Sequence, residues 1–375
     1  MGELSRIGMD TSKRFFQLHG VDGREQVGVR RQLRRSEVIS YFSKLSPVQI
    51  GIEACGSSHY WARVLGALGH EVKLMAPQLV KPYIKRGKND AADAEGLCEA
   101  MSRPTMRFVA VKSAQQQAAL MLAGERDRLV RQRSQLTNTI RGYAAEFGIT
   151  AAKGISHVEP LLDALLRDQD VPPLARELFA EHQAELADLQ ARIDAVEVKF
   201  RAWFKADAMA QKLSKAPGFG PVLSSTLAMK AVNPSSFKSG RNFAAWIGLT
   251  PKDHSTAGKQ RLGKITRAGD ETLRSLMVVA ATSVIQSFRR KLARDAAQKA
   301  AMASEKLAAN SPPIVALLPW QLWLQRLLAR KPAKLCAVAM ANKMARIAWK
   351  LMTTDQDYDP SSVNLSLAPL PASAS

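Results

Sequence analysis

The spacing of hydrophobic and polar positions changes near residue 113 and separates an early region of mixed periodicity from a later helical one. In the first hundred residues, five short apolar runs have the length of strands: residues 6–10, 15–21, 26–33, 48–52 and 71–75. Asp22-Gly23 is the expected turn between the second and third runs. Helices are predicted after Ser36, which is placed as an N-cap, and over residues 60–68. This succession predicts an α/β sheet with at least one right-handed crossover.

From Ser113 onward, apolar residues recur every seven positions. The first series is Leu122, Leu129, Leu136 and Tyr143. Residues 148–173 interrupt the pattern, and a second helix is predicted over residues 174–203. Two series share that helix: Leu186, Ile193 and Phe200, and His182, Leu189, Val196 and Trp203. Successive heptad segments predict either an antiparallel helical hairpin or a coiled coil between copies.

The last region is mostly helical by its pattern. Gly218 and Gly220 precede an apolar helix, as in hairpins that hold a DNA backbone through main-chain amides, although both glycines also fit plain helix-start punctuation. A polar, basic loop is expected over residues 251–269, then a helix over 272–288 and further helical sequence to 351. The predicted divisions are 1–112, 113–207, 208–352 and a disordered tail, 353–375.

Composition adds a strong charge to this outline. The 375 residues contain 54 Lys+Arg against 33 Asp+Glu, a formal net charge of +21, with 46% hydrophobic residues. The chain is therefore apolar enough to fold, and it is suited to a polyanionic partner, nucleic acid first and an acidic membrane surface second. Basic residues cluster in three places: Arg24, Arg30, Arg31, Arg34 and Arg35; Lys81, Lys85, Arg86 and Lys88; and Arg126, Arg128, Arg131 and Arg133. About half of these are expected to be only solvated surface.

Cysteine usage and hydropathy limit the setting. Cys55, Cys98 and Cys336 lie far apart, which disfavours a disulfide framework or a structural zinc site and fits a reducing cytoplasm. The N-terminus lacks a signal-peptide pattern, and no apolar run is long enough to suggest a membrane span.

Four acids form the first candidate site. Asp10 and Glu53 each close a predicted strand, and Asp90 and Asp93 lie in the first turn of a predicted helix with i,i+3 spacing. The carboxyl ends of parallel strands meet at one sheet edge, so these side chains could converge there. Oxygen ligands without soft donors suit one or two Mg²⁺ ions, and paired ions are usual for attack on a phosphodiester. The pattern is that of a ribonuclease-H-like nuclease core.

Each acid also fits a structural role when taken alone. Asp10 could simply end its strand, Asp90 could cap its helix, and Glu53 could pair with an arginine.

The second candidate site is a serine loop. It begins Trp246-Ile-Gly-Leu-Thr-Pro-Lys-Asp-His-Ser-Thr-Ala-Gly and carries five basic residues: Lys252, Lys259, Arg261, Lys264 and Arg267. These cations could bind phosphates and stabilise the charge that develops on them, and His254 is a possible general base for Ser255. The plain alternative is a mobile basic hairpin that touches a nucleic-acid backbone, with Ser255 as a turn residue.

Together with Gly8-Met-Asp-Thr-Ser-Lys, Gly51-Ile-Glu-Ala-Cys-Gly and Lys88-Asn-Asp-Ala-Ala-Asp-Ala, this loop resembles the DEDD transposases of bacterial insertion sequences over residues 6–352. The resemblance implies a RuvC-like N-terminal domain whose acids, here Asp10, Glu53, Asp90 and Asp93, bind Mg²⁺. It also implies a coiled-coil middle that assembles subunits into a dimer or tetramer, and a C-terminal transposase domain whose serine forms a covalent phosphoserine with DNA.

In this family a structured noncoding RNA of the element guides the recombinase. The nucleophile maps to Ser255, with Thr256 the alternative because Ala257 stands where the commoner pattern has Gly. Two other readings stay open: a RuvC-like nuclease that hydrolyses branched DNA with water, and a non-catalytic assembly protein. The presence of all four acids argues against the second of these.

Overall fold

The computed structural model describes residues 3–84, 89–256, 258, 259, 261–303 and 317–361. It divides into two compact units, Met1–Ala118 and Ala119–Ser375. The sequence-predicted boundaries at residues 112, 207 and 352 stay predictions.

The first unit contains the predicted α/β sheet. Its six strands are β1 Leu4–Thr11, β2 Phe15–Asp22, β3 Val27–Arg34, β4 Gln49–Glu53, β5 Glu71–Met75 and β6 Phe108–Val109. The strand order is β3-β2-β1-β4-β5-β6. The three central strands, β1, β4 and β5, run parallel to one another, whereas the β2–β3 hairpin and β6 pair antiparallel at the two edges. Parallel central strands place the ends of β1 and β4 at the same edge of the sheet.

The described residues of this unit also form the helices α1 Val38–Phe42, α2 Ser58–Ala67, α3 Pro77–Val80 and α4 Asp90–Met101. Ile7, Ile50 and Ile52 from the central strands pack with Leu65 of α2 in the main hydrophobic core. Alternation along the strands produces this arrangement, because every second side chain points to the face that a helix covers.

The predicted N-cap at Ser36 is wrong. Ser36 lies inside a 3₁₀ turn, Arg35–Glu37, that precedes α1. Glu37 closes this turn, since its Oε2 accepts a hydrogen bond from the Arg34 N–H at 2.6 Å. The Glu37 carboxylate thus binds the backbone N–H at the start of the turn, and Ser36 does not act as the cap.

The second unit opens with a long helical hairpin. It is formed by α5 Ala114–Glu146, whose first turn precedes the unit boundary, α6 Val158–Arg167 and α7 Pro173–Ala206. Arg126 of α5 pairs with Glu197 of α7, and Arg133 contacts Gln190 further along. The residue numbers increase along α5 while those of their partners on α7 decrease, so the two helices run antiparallel within one chain.

The heptad series supply part of the core of this hairpin. Leu129, Leu136, Leu186 and Ile193 are buried in one cluster with residues of α6. Tyr143 departs from the prediction: it is 54% exposed and stacks on His182 of α7. Ile140 and Ala144 are buried beside it instead, because an α-helix turns every 3.6 residues and drifts away from a strict seven-residue repeat.

A second cluster of helices completes this unit. Its elements are α8 Ala208–Ser214, α9 Pro221–Lys230, α10 Gly240–Ile247, β7 Pro251–Asp253, β8 Leu262–Ile265, α11 Glu271–Ala303, α12 Pro319–Leu328 and α13 Ala333–Thr353. Buried residues of α9, α10, α11 and α13 form one hydrophobic core. The stretch expected to be a plain loop is a two-stranded hairpin, since β7 and β8 pair antiparallel.

The start of the predicted disordered tail is packed. Lys215 forms an ion pair with Asp357 at 2.8 Å, and Tyr358 packs against the hydrophobic core of the later helices. These long-range contacts order residues up to 361, and the rest of the predicted tail, 362–375, lies outside the described residues. Within the described part of the chain, no helix combines the length and apolarity that a bilayer crossing requires.

Candidate functional site

Two candidate acids end neighbouring parallel strands. The β1–β4 register pairs Gly8 with Gly51 and Met9 with Ile52. Asp10 and Glu53 are therefore the next residues on the two strands, at the same edge of the sheet. This is the placement that the strand-end rule predicted.

Glycines two residues before each acid allow α4 to lie directly on the sheet. A Cβ added to Gly8 would stand 2.1 Å from the Ala94 carbonyl oxygen, and one added to Gly51 would stand 2.8 Å from the Met101 Sδ. Side chains at i and i+2 share a face of a strand, so Gly8 and Asp10 both face α4. The missing side chains bring the N-terminal turn of α4 close to the acids.

Asn89 caps this helix and leaves the aspartates free for another role. Its side chain accepts a hydrogen bond from the Ala91 N–H at 3.0 Å, so the suggested N-cap role of Asp90 is wrong. Asp90 and Asp93 both lie in the first turn of α4. Partial positive charge at a helix N-terminus stabilises such carboxylates only in part.

Three of the four acids form a compact group. One carboxylate oxygen each from Asp10, Asp90 and Asp93 lies within 4.8 Å of the others. Glu53 is not a member of that group. Its charge nevertheless raises the pKa of Asp10, and the charge of Asp93 raises the pKa of Glu53. The structure thus brings the helix pair to the strand-end aspartate and leaves Glu53 at the margin.

The crowding raises two pKa values. Burial, followed by the charges of Asp93, Asp90 and Glu53, raises the pKa of Asp10 to about 6. Burial and then Asp93 raise the pKa of Glu53 above its usual value. Like charges oppose ionisation of their neighbours, so the group is electrostatically unfavourable when every member is charged.

The donor set suits a hard divalent cation. All members offer carboxylate oxygens, and among the described residues no lysine, arginine or histidine forms an ion pair with Asp10, Glu53, Asp90 or Asp93. A cation bound here would remove the repulsion that raises the pKa of Asp10. The residues present therefore fit a divalent metal ion.

The serine candidate lies in the second unit, just beyond β7. The Ser255 N–H donates to Asp253 Oδ1 at 2.9 Å, and the Arg261 N–H donates to the Ser255 Oγ at 3.0 Å. The Ser255 hydroxyl also hydrogen-bonds to the Asp253 carboxylate, and this bond lowers the pKa of Asp253. A hydroxyl has one proton and two lone pairs, so one lone pair of Oγ stays available.

Neighbours of Ser255 have other partners. The His254 N–H donates to the Arg261 carbonyl at 2.8 Å. The His254 ring lies where a Cβ on Gly263 would meet it at 3.1 Å. No hydrogen bond joins His254 to Ser255 in the part of the chain that the structure describes, and Thr256 forms a bridge with Lys259. Sequence reasoning missed Asp253, although an aspartate two residues before a turn serine is a recognised pattern for side chain to backbone bonding.

Of the two glycine candidates, Gly218 has a structural role, and Gly220 is the N-cap residue of α9. Gly218 has a φ of +84°, and an added Cβ would lie 2.7 Å from the Met344 Cε, so packing and backbone conformation both require glycine. A role in holding DNA stays a prediction.

Arginines of α5 are largely neutralised. The pairs are Arg126–Glu197, Arg128–Glu125 and Arg131–Asp127. Lys85, Arg86 and Lys88 lie outside the described residues.

Known families match both halves of the chain. A profile described as Transposase (DEDD_Tnp_IS110) matches residues 7–147, which include all four acids. A second, described as Transposase IS116/IS110/IS902 family, matches residues 210–298, which include Ser255.

Named relatives agree over nearly the whole length. The "Putative transposase y4pF/y4sB" of Sinorhizobium fredii is 55% identical over 95% of this chain and 86% of its own. The transposase for insertion sequence element IS1328 of Yersinia enterocolitica is 33% identical, over 94% of this chain and 98% of its own. The transposase for insertion sequence element IS1111A of Coxiella burnetii is 31% identical, over 96% and 92%.

Proposed function

Because the chain belongs to the IS116/IS110/IS902 family of transposases, enzymes that cut and rejoin DNA, we propose that its reaction runs through a covalent phosphoserine at Ser255. The observation that carries this proposal is the Ser255 hydroxyl held between the Asp253 carboxylate and the Arg261 N–H. A serine hydroxyl needs such orientation because it is a weak nucleophile when unassisted.

The chemistry conserves the energy of the DNA ester bond. Ser255 Oγ attacks a backbone phosphorus, an Oγ–P bond forms, and one P–O bond to a deoxyribose breaks. The proton of the hydroxyl leaves Oγ, and the departing sugar oxygen takes up a proton. A sugar hydroxyl of a second strand then attacks the phosphoserine and releases Ser255, so rejoining needs no nucleotide cofactor.

Asp10, Glu53, Asp90 and Asp93 would hold Mg²⁺ in this proposal. When bound, Mg²⁺ supplies Lewis acidity to a phosphate oxygen. The carboxylates themselves present a dense negative site on a rigid sheet edge, and Asp10 must be ionised to contribute to it. In the metal-free protein it ionises only as the pH rises through about 6. The joint presence of the four acids and the clustering of Asp10, Asp90 and Asp93 support this assignment.

Partners follow from charge and from the family resemblance. DNA is the substrate, and a structured noncoding RNA that guides target choice is supported by the resemblance and by the net charge of +21. We also propose that copies associate as a dimer or tetramer, and that the reaction takes place in the bacterial cytoplasm, where the element's DNA lies.

The test is to trap the covalent intermediate. The chain is expressed with its complete element, excision junctions are scored by amplification, and denaturation-resistant protein–DNA adducts are isolated. Nuclease digestion and mass spectrometry should then place a phosphonucleotide on Ser255. Ser255→Ala should abolish both junctions and adducts, whereas Thr256→Val and the distant control Ser214→Ala should keep them.

Two results would overturn the proposal. One is an adduct mapped to Thr256 or another residue. The other is strand cleavage by the wild type without any adduct, which would favour the RuvC-like nuclease that uses water as the nucleophile.

A further inference from the structure

An open cavity in the first unit lies apart from the carboxylate group and has no role in the reaction described above. It measures about 630 Å³ and is bordered by the β1–β2 turn, the end of β3 and the start of α2. This volume is within the range of small-ligand sites, which are usually 300–1,000 Å³.

The cavity wall is strongly basic. Lys13, Arg14, Arg34 and Arg35 line it. No acidic side chain forms an ion pair with any of these four within the described residues, in contrast to the paired arginines of α5. Uncompensated cations around one concave surface favour an anionic ligand with several oxygens.

The same wall presents aromatic rings. Phe15 is 44% exposed and Tyr60 is 48% exposed, so both rings are accessible to a ligand. Trp61 is 3% exposed, and its Nε1 has no hydrogen-bond partner among the described residues. The Arg35 guanidinium lies 5.1 Å from the Trp61 ring centroid, which is a cation–π contact. Aromatic faces beside cations suit a flat ring joined to a phosphate.

The residues that line the cavity are close in sequence to two of the acids. Lys13 follows Asp10 by three residues, so their Cα atoms are at most about 11 Å apart. Tyr60 and Trp61 lie in the first turn of α2, the helix that follows Glu53 along the chain. A strand with a phosphate at the acids would reach this cavity within a few nucleotides.

We propose that this cavity binds one unpaired nucleotide of a DNA or RNA strand, with its phosphate on Lys13, Arg14 and Arg34 and its base against Tyr60 and Phe15. The inference rests on the proposed function in that the strand bound is part of the nucleic acid that the enzyme processes. Base stacking on aromatic side chains contributes about 1–3 kcal/mol per base and tolerates any sequence. The site would therefore hold a strand opened next to the acids and would not read its sequence.

Binding by the full chain to short oligonucleotides tests this proposal. All proteins carry Ser255→Ala and are measured in EDTA, so cleavage and adduct formation play no part and failure of the phosphoserine mechanism would not affect the result. Fluorescence anisotropy compares single-stranded DNA, single-stranded RNA and a duplex of equal length. Tyr60→Ala should weaken single-strand binding about 10-fold and leave duplex binding within about 2-fold, whereas Tyr60→Phe should restore it.

The charge arm uses variants of equal net charge. Arg14→Ala should reduce the slope of log K against log salt for single strands by about 0.7, the value for one lost phosphate contact. Arg24→Ala, in the turn at the far end of the β2–β3 hairpin, should leave that slope unchanged. Equal losses in both variants would mean diffuse electrostatic binding and would overturn the site.

Crosslinking to the cavity without substitutions in it tests the same site and does not depend on how well the cavity variants fold. Single strands containing 5-iodouracil are crosslinked by light and the attachment sites are mapped. Crosslinks to Phe15 or Tyr60 are expected, and the more efficient of the DNA and RNA strands identifies the natural source. Crosslinks confined to other residues, or Tyr60→Ala affinities equal to the parent, would refute the proposal.

Discussion

Gly8 lies so close to Ala94 that an added Cβ would stand 2.1 Å from the Ala94 carbonyl oxygen. This contact fixes the distance between β1 and α4, and through it the approach of Asp93 to Asp10. An Arg6 Nε donor bonds to the Cys98 carbonyl at 3.1 Å and holds the same two elements together.

Gly8→Ala should therefore push α4 away from the sheet. Overpacking of this kind costs about 1–3 kcal/mol or more, because the obstacle is the backbone carbonyl of Ala94, which cannot rotate away. Hydrogen–deuterium exchange should show faster exchange across α4, and metal affinity should fall. Gly66→Ala is the matched control, since nothing lies within 4 Å of its added Cβ. Unchanged exchange in α4 of Gly8→Ala would contradict the packing argument.

The metal-free protein should lose stability as the pH rises from about 4 to 6. The folded pKa of Asp10, about 6, is above the value near 4 of an unfolded aspartate, so the folded state binds more protons in this window. The free energy of unfolding then falls as Asp10 ionises. Urea unfolding in EDTA at several pH values should show a shallower fall in Asp10→Asn than in the wild type. Identical pH profiles would show that Asp10 titrates normally.

Divalent cations should stabilise the first unit through the carboxylate group. At a concentration of 100 times Kd, binding to the folded state alone adds about 2.7 kcal/mol. Thermal unfolding with and without Mg²⁺, and calorimetric titration, should show the gain in the wild type. Asp93→Asn should reduce it sharply, whereas Glu99→Gln should not, since that residue of α4 pairs with Arg103 instead. Equal metal responses in both variants would move the metal site elsewhere.

Asp253→Asn should slow adduct formation at Ser255. Asparagine can still accept the Ser255 N–H bond, but it loses the negative charge that receives the hydroxyl bond. Loss of an orienting or proton-accepting group commonly costs about 100-fold or more in rate. Single-turnover adduct kinetics measure the effect. His254→Ala should change the rate little, and a larger loss in His254→Ala than in Asp253→Asn would reverse the two roles.

The sequence predicted the sheet and the placement of the acids because both depend on local rules. Alternation marked the strands, and the strand-end rule placed Asp10 and Glu53 at one edge. Glu53 lies outside the group of three because of the position that α4 takes on the sheet. Contacts between distant residues, such as Gly8 against Ala94, set that position.

Other features depended on contacts between distant residues. The β7–β8 hairpin has exposed strands with almost no apolar alternation, so only backbone pairing reveals it. Residues 354–361 have the composition of a disordered tail. The ion pair between Asp357 and Lys215 joins residues more than a hundred positions apart, so local sequence could not reveal it. The role of Asp253 was not predicted, because His254 is the more usual general base and directly precedes Ser255 in the sequence.

The antiparallel packing of α5 on α7 has a consequence for stoichiometry. The hairpin core of a single chain already buries Leu129, Leu136, Leu186 and Ile193. These heptad positions can therefore form a coiled coil between two copies only if the hairpin opens. Exposed side chains such as Met121 and Val198 on its outer faces are what a neighbouring copy would meet. The number of subunits would then be set by surface complementarity and not by coil register.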